Sequence, residues 1–145
     1  MKPKVAAIFS IIFLMTLSKL SLSQSLKRTV KDFTLILIDK KTNRDECIKK
    51  LKPIIDPTAN VDSICLDYYE YWKKNFDNNS YPLSTKIESI KIDSTANATV
   101  LISNIWHLST GEKCYFKSET NWIERNQRWY RSAEPGKIIE RRKID

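Results

Sequence analysis

The feature that most constrains this chain is the change of hydrophobic period near residue 81. Over residues 86–133 apolar and polar side chains alternate with period two, the spacing of half-buried strands, and the runs follow one another with no helix between them. The first expected strand is 86–93, closed by the polar turn Asp93-Ser94-Thr95-Ala96-Asn97. Ala98, Val100, Ile102, Asn104 and Trp106 line one face of the second, while Leu101 and Ile105 make its other face partly apolar, as a central strand requires. Ser109-Thr110-Gly111-Glu112 then reverses the chain. The third strand alternates Cys114, Phe116, Ser118, Thr120 and Trp122 against a more polar face. Asn126-Gln127 stands where Asn-Gly would give a tight hairpin, and because Gln tolerates positive φ poorly the sequence predicts a longer loop before the last strand, 128–133. Pro135-Gly136 ends that strand, and 137–145 reads as a charged C-terminal tail or an extra edge segment.

Upstream the period is helical. Leu26, Val30, Phe33 and Leu37 share one helix face, although Leu35-Ile36-Leu37-Ile38 taken alone also suits a strand. Asn43 and Glu46 have the spacing of a capping box, in which each side chain accepts the other's backbone N–H. Cys47, Ile48 and Leu51 follow on one face until Pro53 stops the helix. The third helix is written most plainly. Val61, Ile64, Cys65, Tyr68, Tyr69, Trp72 and Phe76 form one largely aromatic stripe behind Asn60, a suitable N-cap.

Residues 1–23 carry the marks of an export signal: Lys2 and Lys4, an apolar run over 5–17 broken by Ser10 and Thr16, and small Ser21 and Ser23 before a cleavage point ahead of Gln24. The run is short for a bilayer core of roughly 30 Å, which takes about 20 apolar residues. An uncleaved leader is the only route to a membrane that the sequence offers. Cleavage near Ser23 would deliver a periplasmic or secreted protein with one domain, 24–136, followed by the tail. The formal charge of +8 falls to +5 without Lys2, Lys4 and Lys19, and the remaining charges are interspersed in sign, which argues against a nucleic-acid groove.

Helices first, an aromatic-faced helix, then consecutive antiparallel strands closing on Thr120-Asn121-Trp122-Ile123-Glu124-Arg125-Asn126-Gln127-Arg128-Trp129-Tyr130 together resemble the nuclear-transport-factor-2-like superfamily, also called SnoaL-like or ketosteroid-isomerase-like. The resemblance implies an α+β cone, in which a strongly curved antiparallel sheet wraps the N-terminal helices and leaves a pocket at its open end. It is closest in kind to exported bacterial members without assigned activity. The closing hairpin would then lock the fold through aromatic cross-strand pairs among Trp122, Trp129 and Tyr130.

No catalytic set can be matched to the isomerase branch, which opposes a general base to an oxyanion-binding Tyr and a protonated acid. There is no cofactor loop and no metal-ligand spacing. Cys47 and Cys65, on neighbouring helices, could form a disulfide or serve as small buried hydrophobes, and an odd total of three leaves at least one thiol unpaired within the chain. The sequons Asn78-Asn79-Ser80 and Asn97-Ala98-Thr99 matter only in a eukaryotic host. Tyr68, Tyr69, Trp72, Trp106, His107, Phe116 and Trp122 are the expected pocket residues, apolar bodies with a few polar tips. Three readings of function stand: a non-enzymatic domain binding a small apolar ligand or a protein partner; a small isomerase, dehydratase or cyclase using His107 with Tyr68 or Tyr69; and a structural homodimer through Tyr115, Ile123 and Tyr130 on the outer face.

Overall fold

A computed structural model describes residues 3–145, with side chains from Met15 onward. Three helices, α1 (Pro3–Ile38), α2 (Arg44–Leu51) and α3 (Val61–Asp77), precede five strands: β1 (Tyr81–Ile92), β2 (Asn97–His107), β3 (Lys113–Arg125), β4 (Arg128–Arg131) and β5 (Lys137–Ile144). The class is α+β with an antiparallel sheet whose inner face packs on the helices.

The run at 35–38 is helical, because Leu26, Val30, Phe33 and Leu37 belong to a stripe that the sheet buries as a unit. Burying four such side chains together outweighs the local strand preference of 35–38. Leu35 is turned to solvent, as that phase requires. The helix is continuous through residue 23. Much of the expected leader, with Lys2 and Lys4 and most of its apolar run, lies outside the described side chains, and among the described residues no helix is long and apolar enough to cross a membrane.

Asn43 caps α2 by accepting from the Glu46 N–H at 3.0 Å. The reciprocal half of the capping box is not made, since the Glu46 carboxylate pairs instead with Lys50 one turn on, at 2.7 Å. Pro53 ends α2, and a short 3-10 turn, Lys52–Ile54, leads into the elbow. Asn60 caps α3 by accepting from the Ser63 N–H.

The β1–β2 turn is held by Asp93, whose carboxylate accepts from the Thr95 N–H and hydroxyl, both at 2.8 Å, and from the Asn97 N–H at 3.1 Å. Between β3 and β4 the loop is tighter than expected. Asn126 and Gln127 both adopt left-handed geometry, φ 52° and 64°, and Arg125 pairs directly with Arg128. A two-residue turn with both centres at positive φ matches the right-handed twist of a hairpin, so the pairing beyond it compensates for Gln in a disfavoured region. The register also corrects the expected aromatic lock. Trp122 faces Arg131, Ile123 faces Tyr130 and Glu124 faces Trp129, so the two tryptophans are diagonal neighbours on the inner face rather than direct partners. Both are 1 % exposed. The Trp129 indole N–H reaches across to the Leu22 carbonyl of α1 at 3.2 Å, tying sheet to helix.

The segment after Pro135-Gly136 is a strand. β5 pairs with β3 from Lys113 to Glu119 on the same edge that β4 occupies from Trp122 to Arg125. β4 and β5 are thus two halves of one outer strand, interrupted by residues 132–136. Of the two readings of 137–145, the structure takes the edge segment.

The elbow fastens the helical layer to this edge. Ile55 bridges Arg131, and the Asp56 N–H donates to the Arg131 carbonyl at 3.0 Å. Asp56 is 5 % exposed. Its carboxylate accepts from the Thr58 N–H and hydroxyl, at 3.1 and 2.9 Å, and from Arg125, at 3.3 Å to each oxygen. Burial works against the ionised form, but the bonds from Thr58 and Arg125 prevail and hold the carboxyl below its ordinary value. A depressed folded value means that this contribution is present above the unfolded pKa, about 3.9, and is lost as pH falls through the folded one. Asp56→Ala is expected to cost about 1–3 kcal/mol in urea unfolding at neutral pH, with the deficit shrinking below about pH 4. An unchanged unfolding midpoint at neutral pH would show that the elbow does not anchor the sheet.

Candidate functional site

The inner sheet face and the helices do not close on each other completely. A cavity of about 530 Å³ opens between them. β2 contributes Ile102, Asn104 and Trp106 and β3 contributes Ser118, Thr120 and Trp122, alternate residues as the pleat dictates. α1 supplies Phe33, Thr34 and Leu37, and α3 supplies Ile64, Tyr68, Tyr71 and Trp72. Arg131 of β4 forms part of the wall, as do Ala133, Pro135 and Gly136 of the interruption and Ile138 of β5. Gly136 lets the chain return close to β3: a Cβ there would stand 3.2 Å from the Glu119 carbonyl oxygen and 3.4 Å from Thr120 Cγ2.

The walls are held by ring contacts. Phe33 meets Tyr68 and Trp122 edge-on at centroid distances of 5.2 and 5.6 Å, and Trp72 lies 5.2 Å from Trp106. The polar tips largely satisfy one another. The Trp122 indole N–H donates to Thr120 Oγ1 at 3.0 Å, and the Thr85 hydroxyl donates to Asn104 Oδ1 at 2.7 Å.

Arg131 differs from these. It is 1 % exposed. Its Nη1 donates to the Asn121 carbonyl at 2.9 Å and to the Ser132 carbonyl at 2.8 Å, while its buried Nε has no partner. No carboxylate stands within ion-pair distance of it among the described residues, in contrast to Arg125, which has Asp56. Burial lowers the Arg131 guanidinium from its ordinary value, opposed by Tyr68 and then Glu134; burial likewise raises the Tyr68 hydroxyl, opposed by Arg131. Arginine nonetheless stays charged.

Of the expected pocket residues, Tyr68, Trp72, Trp106 and Trp122 meet in this wall. Tyr69 turns instead toward a smaller recess with Ile36, Leu37 and Cys47. Phe116 lies outside the wall, 6.3 Å from Trp106 and beneath Arg141. His107 does not line the cavity; at the end of β2 it pairs with Tyr81, and the two rings lie 5.0 Å apart. Asp67, exposed, is the one carboxylate among the described residues that borders the cavity. Glu88 accepts from Ser103 and Lys86, and Glu112 pairs with Lys143, all away from it. Sequence reasoning missed Arg131 and the α1 residues. Alternation from Trp129 would have put Arg131 on the inner face, had the hairpin register been readable.

Cys47, Cys65 and Cys114 are all free and buried, so the Cys47–Cys65 bridge is not formed. Burial pushes the Cys65 thiol up to about 11. No group of metal-ligating side chains gathers among the described residues.

No family model and no curated protein matches the chain. Among solved structures it is similar to an Ntf2-like protein, the potential transfer protein TraM from the Gram-positive conjugative plasmid pIP501, with a TM-score of 0.58 at 8 % identity over 81 % of this chain and 95 % of that one. It is also similar to the intermembrane space region of the chloroplast protein ARC6, with a TM-score of 0.50 at 10 % identity over 79 % of this chain and 94 % of that one. At such identities the likeness concerns the fold alone, an α+β domain of cone-like, Ntf2-like form.

The thiol environment makes one outcome specific. At about pH 8.5, where an ordinary thiol is half ionised, iodoacetamide should leave Cys65 unmodified in the folded chain and alkylate it in denaturant. Peptide mass spectrometry reads the difference, and equal labelling in both conditions would contradict the buried placement.

Proposed function

We propose that this chain is an exported, non-enzymatic domain whose cavity binds a small apolar molecule. The observation that carries the reading is the cavity itself, about 530 Å³ and walled by Phe33, Tyr68, Trp72, Trp106 and Trp122. That size falls in the range of roughly 300–1,000 Å³ typical of small-molecule sites. The enzyme reading has less support, because His107 is not part of the cavity wall and no acid–base pair converges there among the described residues. Export is supported by the composition of the first 23 residues. The outer-face homodimer is not carried forward, since Tyr115 is half-buried beneath Arg142 at 4.5 Å and Tyr130 lies near Arg128.

The neutral fluorescent probe N-phenyl-1-naphthylamine should bind saturably, one molecule per chain. Ser118→Trp, which fills the cavity from β3, should reduce the affinity at least about tenfold. Unsaturable binding, or binding unaltered by the filling substitution, would overturn the reading.

A further inference from the structure

Arg131 has a side chain unlike the rest of the cavity wall. A guanidinium that is 1 % exposed has given up nearly all of its hydration, and what replaces it is incomplete: two backbone carbonyls at Nη1, nearby Tyr68, and nothing at Nε. A buried charge is ordinarily paired with an opposite one. Here the paired alternative is visible in the same fold, because Arg125 has the Asp56 carboxylate and Arg131 has none. In a cavity of low polarity the attraction between that cation and an anion a few ångströms away is strong even without direct contact at Nε.

We propose that the cavity takes an amphiphile bearing a single carboxylate, with its apolar body against Trp72 and Trp106 and its anionic head at the Arg131 end, beside Tyr68 and Thr120. This rests on the binding reading above and specifies its ligand class. One negative charge fits better than two. A single cation is available, and Glu134 and Asp67 stand near it and at the rim with charges that repel a dianion.

The test uses the full chain and displaces bound N-phenyl-1-naphthylamine with dodecanoate or with dodecanol, which share an alkyl body and differ in charge. Dodecanoate should displace the probe at a concentration about tenfold lower than dodecanol. In Arg131→Met that preference should vanish, the two midpoints coming together wherever they fall, and in Arg131→Lys it should be partly retained. Equal midpoints on the unaltered chain would overturn the carboxylate assignment and leave the binding reading standing. Failure of the probe to bind saturably would remove the binding reading and this inference with it. A separate groove lies between α1 and β1, lined by Lys27, Lys31, Leu35 and Leu83. A preference that survives in folded Arg131→Met, or disappears in Lys31→Gln in that groove, would place the anion elsewhere and overturn the assignment to Arg131. Should Arg131→Met fail to fold by circular dichroism, the paired comparison on the unaltered chain and the Lys31→Gln control still decide it.

Discussion

The cavity depends on one departure from regular pairing: residues 132–136 leave the edge of β3 between β4 and β5. Had the outer strand continued straight, it would also have paired opposite Thr120. Ser132 still donates its N–H to the Asn121 carbonyl, which also accepts from the Arg131 guanidinium, and the backbone leaves the edge beyond that point. Buried carbonyls must find donors somewhere, and Arg131 Nη1 supplies one to the Ser132 carbonyl as the chain departs. Gly136 completes the return, since any side chain would crowd the Glu119 carbonyl.

Arg131 is consequently both a structural and a chemical element. Its carbonyl receives the Asp56 N–H, its Nη1 holds the lifted segment, and its charge lies beside an apolar cavity. Asp56 gives the helical layer a second hold on the same corner through Arg125. The two arginines illustrate the difference that solvation makes. Arg125 is partly exposed and paired, so its ion pair is a modest contribution moderated by water. Arg131 is desolvated and unpaired, which makes the polarity of its surroundings matter far more.

Much of the architecture was legible in the chain. The stripe from Val61 to Phe76 and the inward sets Ala98–Trp106 and Cys114–Trp122 are long, and each extra residue in phase strengthens a periodic signal. Long signals also gave four of the wall residues, Tyr68, Trp72, Trp106 and Trp122. Short ones misled. The Asn126-Gln127 turn was judged on the intrinsic cost of positive φ, which the twist of the paired strands overrode. The charged run 137–144 alternates too weakly to announce a strand, because an edge strand exposed over most of its length needs no apolar face. His107 and Tyr69 do not reach the pocket that the neighbouring Trp106 and Tyr68 line: His107 stands at the end of its strand against Tyr81, and one step along a helix rotates Tyr69 by a quarter turn or more.

By itself, the sequence determined the order of helices and strands, the faces they bury and the aromatic character of the surface between them, because periodicity is a local property of the chain. The tertiary structure alone decided that β4 and β5 share one edge of β3, that the segment between them lifts away, and that Arg131 is buried beside the cavity without a carboxylate. Those outcomes depend on register and on contacts between distant residues, such as Asp56 with Arg125 and Trp129 with Leu22, which no local pattern encodes.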